Sequence, residues 1–348
     1  MLKRVLITGG AGFIGSTIAE YLLNSGYEVV IFDSLIRKGV EFNIARLKAA
    51  YRRDGGIEVI QGDVRFDYDL EKVGKVDGII HAAANPGIRR SIDMPRFDFD
   101  TNASGTLNVL EFAKKIGAPV IYCSTNKVYD GRKINAIPLK ELQTRYEYDD
   151  DRYIRGIPPD FPVDGGDHSC YGVSKLSGDI YCQEYSCNMG VPTVVNRLSC
   201  TAGSWQLGVE DQGWVAWFVF AAITGKPINI FGNGKQVRDI LDAADLARLF
   251  EIQFREIDTH NGKVYNVGGG PGNTLSLLEC INYLNNKLNI NIHLKFHPWR
   301  VADHRVYISD ISKLNKFWQP KTGPYRLLDK IYQWAVEHPE ILALYKGR

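Results

Sequence analysis

Residues 4–15 read RVLITGGAGFIG, and this stretch decides which fold the rest of the chain completes. Its first residues are apolar and predict a buried strand, while the apolar period that begins at Phe13 predicts a helix. Gly9, Gly12 and Gly15 occupy the turn between the two elements. A turn without Cβ atoms lets phosphate oxygens reach backbone N–H groups at the helix N-terminus. The stretch therefore predicts a dinucleotide-binding turn of the Rossmann type.

The choice between the two nicotinamide dinucleotides depends on Asp33, which follows a predicted strand at 28–32. A carboxylate at this place accepts hydrogen bonds from both ribose hydroxyls and repels the 2′-phosphate of NADP, so NAD is favoured. Arg37 and Lys38 leave NADP as a minor alternative, although a solvated loop explains these two residues better. Asp63 follows the third predicted strand, where it either contacts the adenine amine or serves as an ordinary turn residue.

Strand and helix patterns alternate through the first half of the chain, as in a parallel sheet that helices cover on both faces. The predicted class is an α/β fold with a Rossmann-type doubly wound parallel sheet. The predicted strands are 4–8, 28–32, 57–61, 78–81, 119–124 and 193–197, and the predicted helices are 13–24, 95–115 and 171–187. A loop from about residue 129 to 169 exceeds the usual connection length, which suggests a functional role.

The second half is less regular and predicts a smaller α+β C-terminal domain that binds the substrate. Its strand-like segments are 228–231, 264–267 and 292–296, and its helical segments are 214–224, 275–287 and 325–337. We expect a dinucleotide-binding domain over residues 1–190, to which the chain can return, and a substrate domain over 191–348.

Composition narrows the class of protein further. The formal net charge is +2, which is too balanced for electrostatic binding of nucleic acid. No apolar run approaches the roughly 18 residues needed to span a bilayer. The six cysteines show neither a CxxC pair nor a metal-ligand spacing with histidine. We expect a cytoplasmic enzyme with reduced thiols, no metal, no membrane contact and no nucleic-acid partner.

A second group of residues predicts alcohol oxidation. Tyr171 and Lys175 lie four residues apart on a predicted helix, so their side chains share a face, and Ser124 and Thr125 end a predicted strand. Hydride removal from an alcohol needs a base, and a tyrosine pKa near 7 requires about 4 kcal/mol of phenolate stabilisation. The Lys175 ammonium and a cationic nicotinamide supply a charge of that size, and Thr125 would hold the substrate hydroxyl. Alone, the Tyr–Lys pair would be read as a surface contact.

With these motifs the chain resembles the extended short-chain dehydrogenases/reductases that act on nucleotide sugars, along essentially its whole length. The resemblance is carried by residues 9–15, His81-Ala82-Ala83-Ala84, Asn102, Ser124-Thr125 and Tyr171-x-x-x-Lys175. It implies that NAD contacts Gly9, Gly12, Phe13, Ile14, Gly15, Asp33, Asp63, Val64, Ala82, Ala83, Asn102, Ser124, Tyr171 and Lys175. It also implies a homo-oligomer, a dimer or tetramer, in which the helices at 95–115 and 171–187 pair with their copies.

Within that family the chain is most similar to the CDP-paratose (CDP-tyvelose) 2-epimerases. Four stretches, 124–129, 144–146, 211–215 and 232–239, carry the likeness together with the long insertion before Tyr171. The likeness implies a CDP-linked hexose that is inverted at C2 through a 2-keto sugar. Nothing in periodicity or spacing indicates that carbon.

The resemblance also assigns residues to the substrate. Those that correspond to Arg238 and Arg300, with Asp303 and Tyr307 nearby, hold the nucleotide diphosphate, and guanidinium groups suit phosphate oxygens. The remaining candidates are Asn85 and Asn126 beside the sugar, and Asn196 with Arg197 at a strand end, where a structural role is an equal alternative.

Three places in the sequence depart from the family pattern. Asp130 replaces a usual glycine, Cys170 replaces a usual proline, and residues 85–90 replace a segment of small and threonine residues that faces the sugar. The last of these puts the identity of the sugar in doubt.

Asn126 and Lys127 separate this chain from the related 4,6-dehydratases, which carry an Asp-Glu pair directly after the catalytic threonine. Elimination of water needs a second acid and base, and neither an amide nor an ordinary lysine performs that transfer at neutral pH. The sequence thus predicts an NAD-dependent nucleotide-sugar epimerase. A UDP-hexose 4-epimerase and a non-catalytic NAD-binding regulator are the alternatives, the latter disfavoured because it would not need Thr125, Tyr171 and Lys175.

Overall fold

The computed structural model describes residues 4–51, 56–300 and 303–346. The first elements in chain order are β1 (Arg4–Thr8), α1 (Phe13–Asn24), β2 (Glu28–Asp33), α2 (Val40–Ala50), β3 (Ile57–Gln61), α3 (Asp67–Leu70), β4 (Gly78–His81), α4 (Ile88–Asp93), α5 (Pro95–Phe99), α6 (Gly105–Ile116), β5 (Val120–Thr125), α7 (Gly131–Asn135), β6 (Leu139–Glu141), β7 (Tyr146–Tyr148) and α8 (Ser169–Asn188). The remaining elements are β8 (Thr193–Leu198), β9 (Cys200–Ala202), α9 (Trp214–Thr224), β10 (Ile228–Phe231), β11 (Val237–Asp242), α10 (Ala243–Arg255), α11 (Ile257–His260), β12 (Lys263–Val267), β13 (Thr274–Ser276), α12 (Leu277–Leu288), β14 (Leu294–His297), β15 (Val306–Tyr307), α13 (Pro324–Glu337) and α14 (Pro339–Lys346).

The chain forms two compact units, and the first consists of residues 1–128, 169–198 and 243–265. Its sheet has the strand order β12-β8-β5-β4-β1-β2-β3, and every neighbouring pair from β8 to β3 is parallel. Helices α6 and α8 pack on each other, while α1 packs on α2 and α10. The predicted Rossmann-type sheet is confirmed. The predicted boundary at residue 190 falls between α8 and β8, which both belong to this unit.

The order of strands reverses between β1 and β4, because β2 and β3 lie on one side and β5 and β8 on the other. Ligands of open α/β sheets bind at such a reversal, outside the carboxyl ends of the strands.

The segment predicted as one helix from residue 95 is continuous to Ile116, but a π-helical turn at Asp100–Ser104 joins α5 to α6. Turns of this kind are frequent at functional sites.

The second unit consists of residues 129–168, 199–242 and 266–348. Strand β11 is its central element, since it pairs in parallel with β9 and β15 and antiparallel with β13. Helix α9 packs against α12, α13 and α14. The other strands of this unit form two pairs: β10 with β14 in parallel, and β6 with β7 as an antiparallel hairpin. The predicted α+β composition is found here.

One expectation from the sequence needs correction. The stretch from 129 to 169 is not an unstructured loop, because it contains α7 and the β6–β7 hairpin, whose strands have three residues each. Strands this short show no apolar alternation that a sequence pattern could reveal. The pattern also missed α2, α10 and β11. Among the described residues, no helix combines the length and hydropathy that crossing a membrane requires.

Candidate active site

The glycine turn after β1 fits a dinucleotide. Gly9 has a φ of 67°, and a Cβ there would lie 2.6 Å from the backbone of Ala83 after β4. A Cβ on Gly15 would lie 2.4 Å from the carbonyl oxygen of Gly9, so only glycine lets α1 approach the turn. No side chain caps the start of α1 at Gly12 and Phe13. Its first N–H groups are therefore suited to bind pyrophosphate.

Asp33 ends β2 beside this turn. Its carboxylate accepts the N–H of Ala11 at 3.1 Å and that of Leu35 at 2.9 Å. Burial raises the pKa of the carboxyl, and these two hydrogen bonds oppose the increase. The fixed position and the charge suit ribose hydroxyls, as the sequence predicts for NAD.

Two other predicted cofactor residues, Asp63 and Val64, have hydrogen-bond partners within the protein. Asp63 holds Arg65 through both carboxylate oxygens, with N···O distances of 2.7 to 3.1 Å. Val64 is buried, and its carbonyl oxygen accepts a bond from Asn108 at 2.9 Å. A contact of Asp63 with adenine remains a prediction.

The three predicted catalytic residues all lie in the first unit. Thr125 ends β5, and its hydroxyl lies close enough to the Tyr171 hydroxyl to lower the pKa of that group. Lys175 lies one turn further along α8 and is 2% exposed. The backbone N–H of Tyr171 donates to the Ser91 hydroxyl of α4 at 3.0 Å, which anchors the start of the catalytic helix. A substrate hydroxyl at Thr125 would thus lie within reach of the tyrosine oxygen.

Burial shifts the pKa values of Tyr171 and Lys175 in opposite directions. It raises the pKa of Tyr171 to about 12, and the nearby Thr125 hydroxyl offsets only part of the increase. Burial also lowers the pKa of Lys175 to about 8. The protein side chains alone thus do not bring the pKa of Tyr171 near 7. Part of the phenolate stabilisation therefore has to come from the charge of the bound cofactor. Because lysine titrates first, the pair loses its first proton near pH 8.

A buried ion pair holds together the strand and the helix that carry Thr125, Tyr171 and Lys175. Asp179 accepts two bonds from Arg197 of β8, at 2.9 and 3.0 Å, and one from Ser124 at 2.6 Å. Asp179 is fully buried, and Arg197 is 5% exposed. Ser124 therefore links the end of β5 to α8 and fixes the residue next to Thr125. Asp179 is not among the residues predicted from the sequence, although its spacing of four residues from Lys175 is a usable signal.

A second buried network surrounds Asp98 of α5. Its carboxylate accepts bonds from Asn85 at 2.8 Å, from Asn102 at 3.2 Å and from Ser174 at 2.5 Å. A carboxylate accepts hydrogen bonds, so the amide NH₂ of Asn85 has to point towards it. The side-chain oxygen of Asn85 is left buried without a hydrogen-bond partner. That oxygen is ready to accept a bond from a ligand, whereas the Asn102 amide is engaged within the network.

Asn196 has both polar atoms of its amide paired with the amide of Gln253, at 2.9 and 2.8 Å. The residue is fully buried. A ligand would have to break this reciprocal pair, so its surroundings favour the structural alternative. Asn126, in contrast, follows Thr125 directly, and its side-chain oxygen accepts a long 3.5 Å contact from the Thr125 hydroxyl.

The predicted diphosphate residues lie in the second unit. Arg238 of β11 pairs with Asp303 at 2.5 Å, and Tyr307 of β15 is the register partner of Arg238. Arg300 pairs with Asp211 at 3.0 Å, and its guanidinium carbon lies 3.8 Å from the Phe231 ring centroid. Both arginines are partly exposed, with 14% and 34% of their side-chain surface accessible.

Comparisons with known proteins agree with this geometry. The family described as "NAD dependent epimerase/dehydratase family" matches residues 5–268. The chain is 36% identical to CDP-paratose 2-epimerase of Salmonella typhi over 346 residues, which cover 95% of this chain and 99% of the relative. It is 27% identical to a putative UDP-glucose 4-epimerase of Methanocaldococcus jannaschii, with 95% and 97% covered. It is also similar, with a TM-score of 0.77 and 26% identity over 96% of this chain and 99% of the other, to a Bacillus cereus UDP-glucuronic acid 4-epimerase solved with UDP-glucuronic acid and NAD.

Proposed function

The chain belongs to the NAD-dependent epimerase/dehydratase family, and we propose that it inverts C2 of a CDP-linked hexose of the paratose/tyvelose type. The observation that carries the chemistry is that the Thr125 hydroxyl lies close enough to the Tyr171 hydroxyl to lower its pKa, with the buried Lys175 one helical turn further along α8. The choice of nucleotide and carbon is supported by the likeness to CDP-paratose 2-epimerase over nearly the whole of both chains.

In the proposed reaction Tyr171 takes the proton of the sugar hydroxyl, and Thr125 holds that hydroxyl in line. The glycine turn and Asp33 would hold NAD, which would supply a reversible hydride acceptor for the sugar carbon. The flat 2-keto sugar presents its other face before the proton goes back from Tyr171 to the oxygen. Asn126 and Lys127 provide no acid–base pair for elimination, so the cycle ends in inversion rather than loss of water.

We assign the diphosphate of the substrate to Arg238 and Arg300. Each guanidinium already has a carboxylate partner, Asp303 and Asp211 respectively, which keeps it oriented while part of its surface stays accessible. A planar group with five donors can hold both a carboxylate and phosphate oxygens. On the sugar side we assign the unpaired Asn85 oxygen as an acceptor for a substrate hydroxyl.

A UDP-hexose 4-epimerase is the second candidate, and the likeness to the Methanocaldococcus jannaschii protein favours it. Such an enzyme would use the same three catalytic residues with a different edge of the sugar against Tyr171. The replaced segment at residues 85–90 is compatible with either sugar.

The deciding experiment uses a CDP-hexose that carries deuterium at C2, with the products followed by NMR. We expect inversion at C2 with the label retained, since the hydride leaves and returns to the same carbon. Label lost to solvent would point to deprotonation next to a carbonyl, and inversion at C4 with C2 untouched would establish the second candidate. A panel of UDP-, GDP- and dTDP-hexoses under the same conditions tests the nucleotide.

A further inference from the structure

The ammonium of Lys175 is supported by an aromatic ring rather than by a carboxylate. Its Nζ lies 4.1 Å from the ring centroid of Tyr122 on β5, and the side chain is almost fully buried. In the part of the chain that the structure describes, no carboxylate lies within ion-pair distance of this nitrogen. A cation over the face of an aromatic ring is attracted by its quadrupole, and the attraction increases when the pair is desolvated.

Tyr122 is held rigidly against α8. Its hydroxyl donates to the carbonyl oxygen of Lys175 at 3.3 Å. A Cβ at Gly178, one turn further along the helix, would lie 2.5 Å from that hydroxyl oxygen. A glycine is therefore required for the helix to come this close to the ring, and the sequence has one.

His81 of β4 lies against the same ring and has to stay neutral. The two rings stack with centroids 5.5 Å apart. The Thr106 hydroxyl donates to the Asn102 carbonyl at 2.6 Å, so His81 Nε2 donates to Thr106 while Nδ1 accepts from Thr8. Burial lowers the pKa of His81 to about 3. A second positive charge is thus kept away from Lys175.

We propose that Tyr122 is a positioning residue for the reaction, whose ring face holds the Lys175 ammonium in its charged form beside Tyr171. The role rests on the proposed function only in so far as Tyr171 is the base. The active form of the Tyr171–Lys175 pair carries one proton, and that proton has to be on lysine. A ring that favours the ammonium selects this arrangement over a neutral lysine beside a neutral tyrosine.

Every other ionisable group near Lys175 stays in place when only the ring is altered. These groups are Asp98 of α5, Asp179 and Cys182 of α8, Cys123 of β5 and His81 of β4, and Tyr171 lies one helical turn away on α8. A change in the titration of Lys175 upon substitution of Tyr122 therefore reports on the ring.

The experiment measures the lysine directly in the full-length, cofactor-free protein. Side-chain ¹³C-labelled lysine is followed by NMR against pH, and Lys175→Met identifies the signal. Tyr122→Phe keeps the ring face, so we expect the Lys175 midpoint to move by less than about 0.3 pH unit. Replacement of Tyr122 with 3,4,5-trifluorophenylalanine keeps the shape but withdraws electrons from the ring. We expect this change to lower the midpoint by about one unit, equivalent to about 1.4 kcal/mol.

Turnover provides the second readout. In the fluorinated variant the rising limb of the pH–rate profile should move to lower pH, because the lysine loses its proton more easily. The plateau kcat should fall about tenfold, because the one proton of the Tyr171–Lys175 pair then lies more often on tyrosine than on lysine. A purely structural role would lower kcat without moving the limb. An unchanged Lys175 midpoint in the fluorinated variant overturns the proposal. If the midpoint moves but CDP-hexoses are not turned over, the proposed substrate is wrong and the positioning role stands.

Discussion

Tyr171 and Lys175 illustrate how a buried pair has to share one proton. Burial penalises the charged form of each group, so the phenolate and the ammonium become favourable only together. The pKa of Lys175, about 8, lies below that of Tyr171, about 12, so the pair without cofactor reaches its one-proton state near pH 8. A cation bound nearby extends that state to lower pH.

Replacing Tyr171 with phenylalanine removes the base and little else. We expect Tyr171→Phe to lower kcat by about 10²- to 10⁴-fold, the usual contribution of a positioned base, while NAD affinity and thermal unfolding stay close to wild type. Tyr68→Phe is the matched control, because this hydroxyl lies on an exposed ring. Steady-state kinetics with the preferred CDP-hexose measures this loss. Near-normal turnover of Tyr171→Phe would show that Tyr171 is not the base.

Asp33 determines which dinucleotide the protein carries. Because epimerisation is redox-neutral, we expect the purified protein to release NAD upon denaturation without any having been added. Asp33→Ala removes the charge that repels a 2′-phosphate, so the preference for NAD over NADP should fall about 10- to 100-fold, or about 1.4 to 2.8 kcal/mol. Titration of the cofactor-free variant with each dinucleotide measures this ratio. An unchanged ratio would show that another residue makes the selection.

Helix α8 combines chemistry and support on a single side. Tyr171, Lys175 and Asp179 recur every four residues, so they project towards the same region of the sheet. Tyr171 and Lys175 form the catalytic pair, while Asp179 holds Arg197 of β8 and Ser124 of β5. The position of the helix relative to the strands therefore depends on a buried ion pair.

Asp179→Asn should be strongly destabilising, since it leaves the Arg197 guanidinium buried without a countercharge. We expect a loss of about 3 to 5 kcal/mol in the free energy of unfolding, measured in urea. Glu71→Gln is the control, because its pair with Lys115 is exposed and should change stability by less than about 1 kcal/mol. Joint replacement of Asp179 and Arg197 with leucine and methionine should recover much of the loss. If Asp179→Asn is as stable as Glu71→Gln, the buried ion pair does not contribute to stability as described.

The features that could be predicted from sequence are those whose physical cause is local. The turn at residues 9–15 needs glycines at a fixed spacing, and Tyr171 with Lys175 shows the period of a helix. Long-range pairs left no such trace. Asn196 and Gln253 are 57 residues apart, and nothing near either one indicates the other.

Strand β11 shows the same limit. It contains the fully buried Asp239, which a sequence pattern reads as a surface residue. Its carboxylate accepts N–H bonds from Gly270 and Ser309, both at 3.1 Å. Burial of this charge is intelligible only once those distant partners are known.

The exposed apolar side chains of α8 bear on assembly. Val173, Ile180 and Tyr181 recur seven and eight residues apart and are 42% to 54% exposed. We propose that they pack against a second copy of this chain, since a contiguous apolar stripe is uncommon on a free surface. Light scattering at micromolar concentration should give at least a dimer, and Ile180→Lys should give monomer. Val336→Lys, on the exposed side of α13, should leave the mass unchanged, and a monomeric wild-type protein would reject the proposal.

The interleaved chain path imposes an order on synthesis. Strand β5 ends at Thr125, but its neighbour β8 is not complete until Leu198, and the intervening residues include the whole 129–168 segment of the second unit. At about 5 to 20 residues per second, a ribosome leaves that edge of the nascent sheet open for roughly 4 to 15 s. An unpaired strand edge is a template for pairing with other chains. Yield in the cell should therefore respond to chaperone supply and to the codons between residues 125 and 198, even when the finished protein is stable.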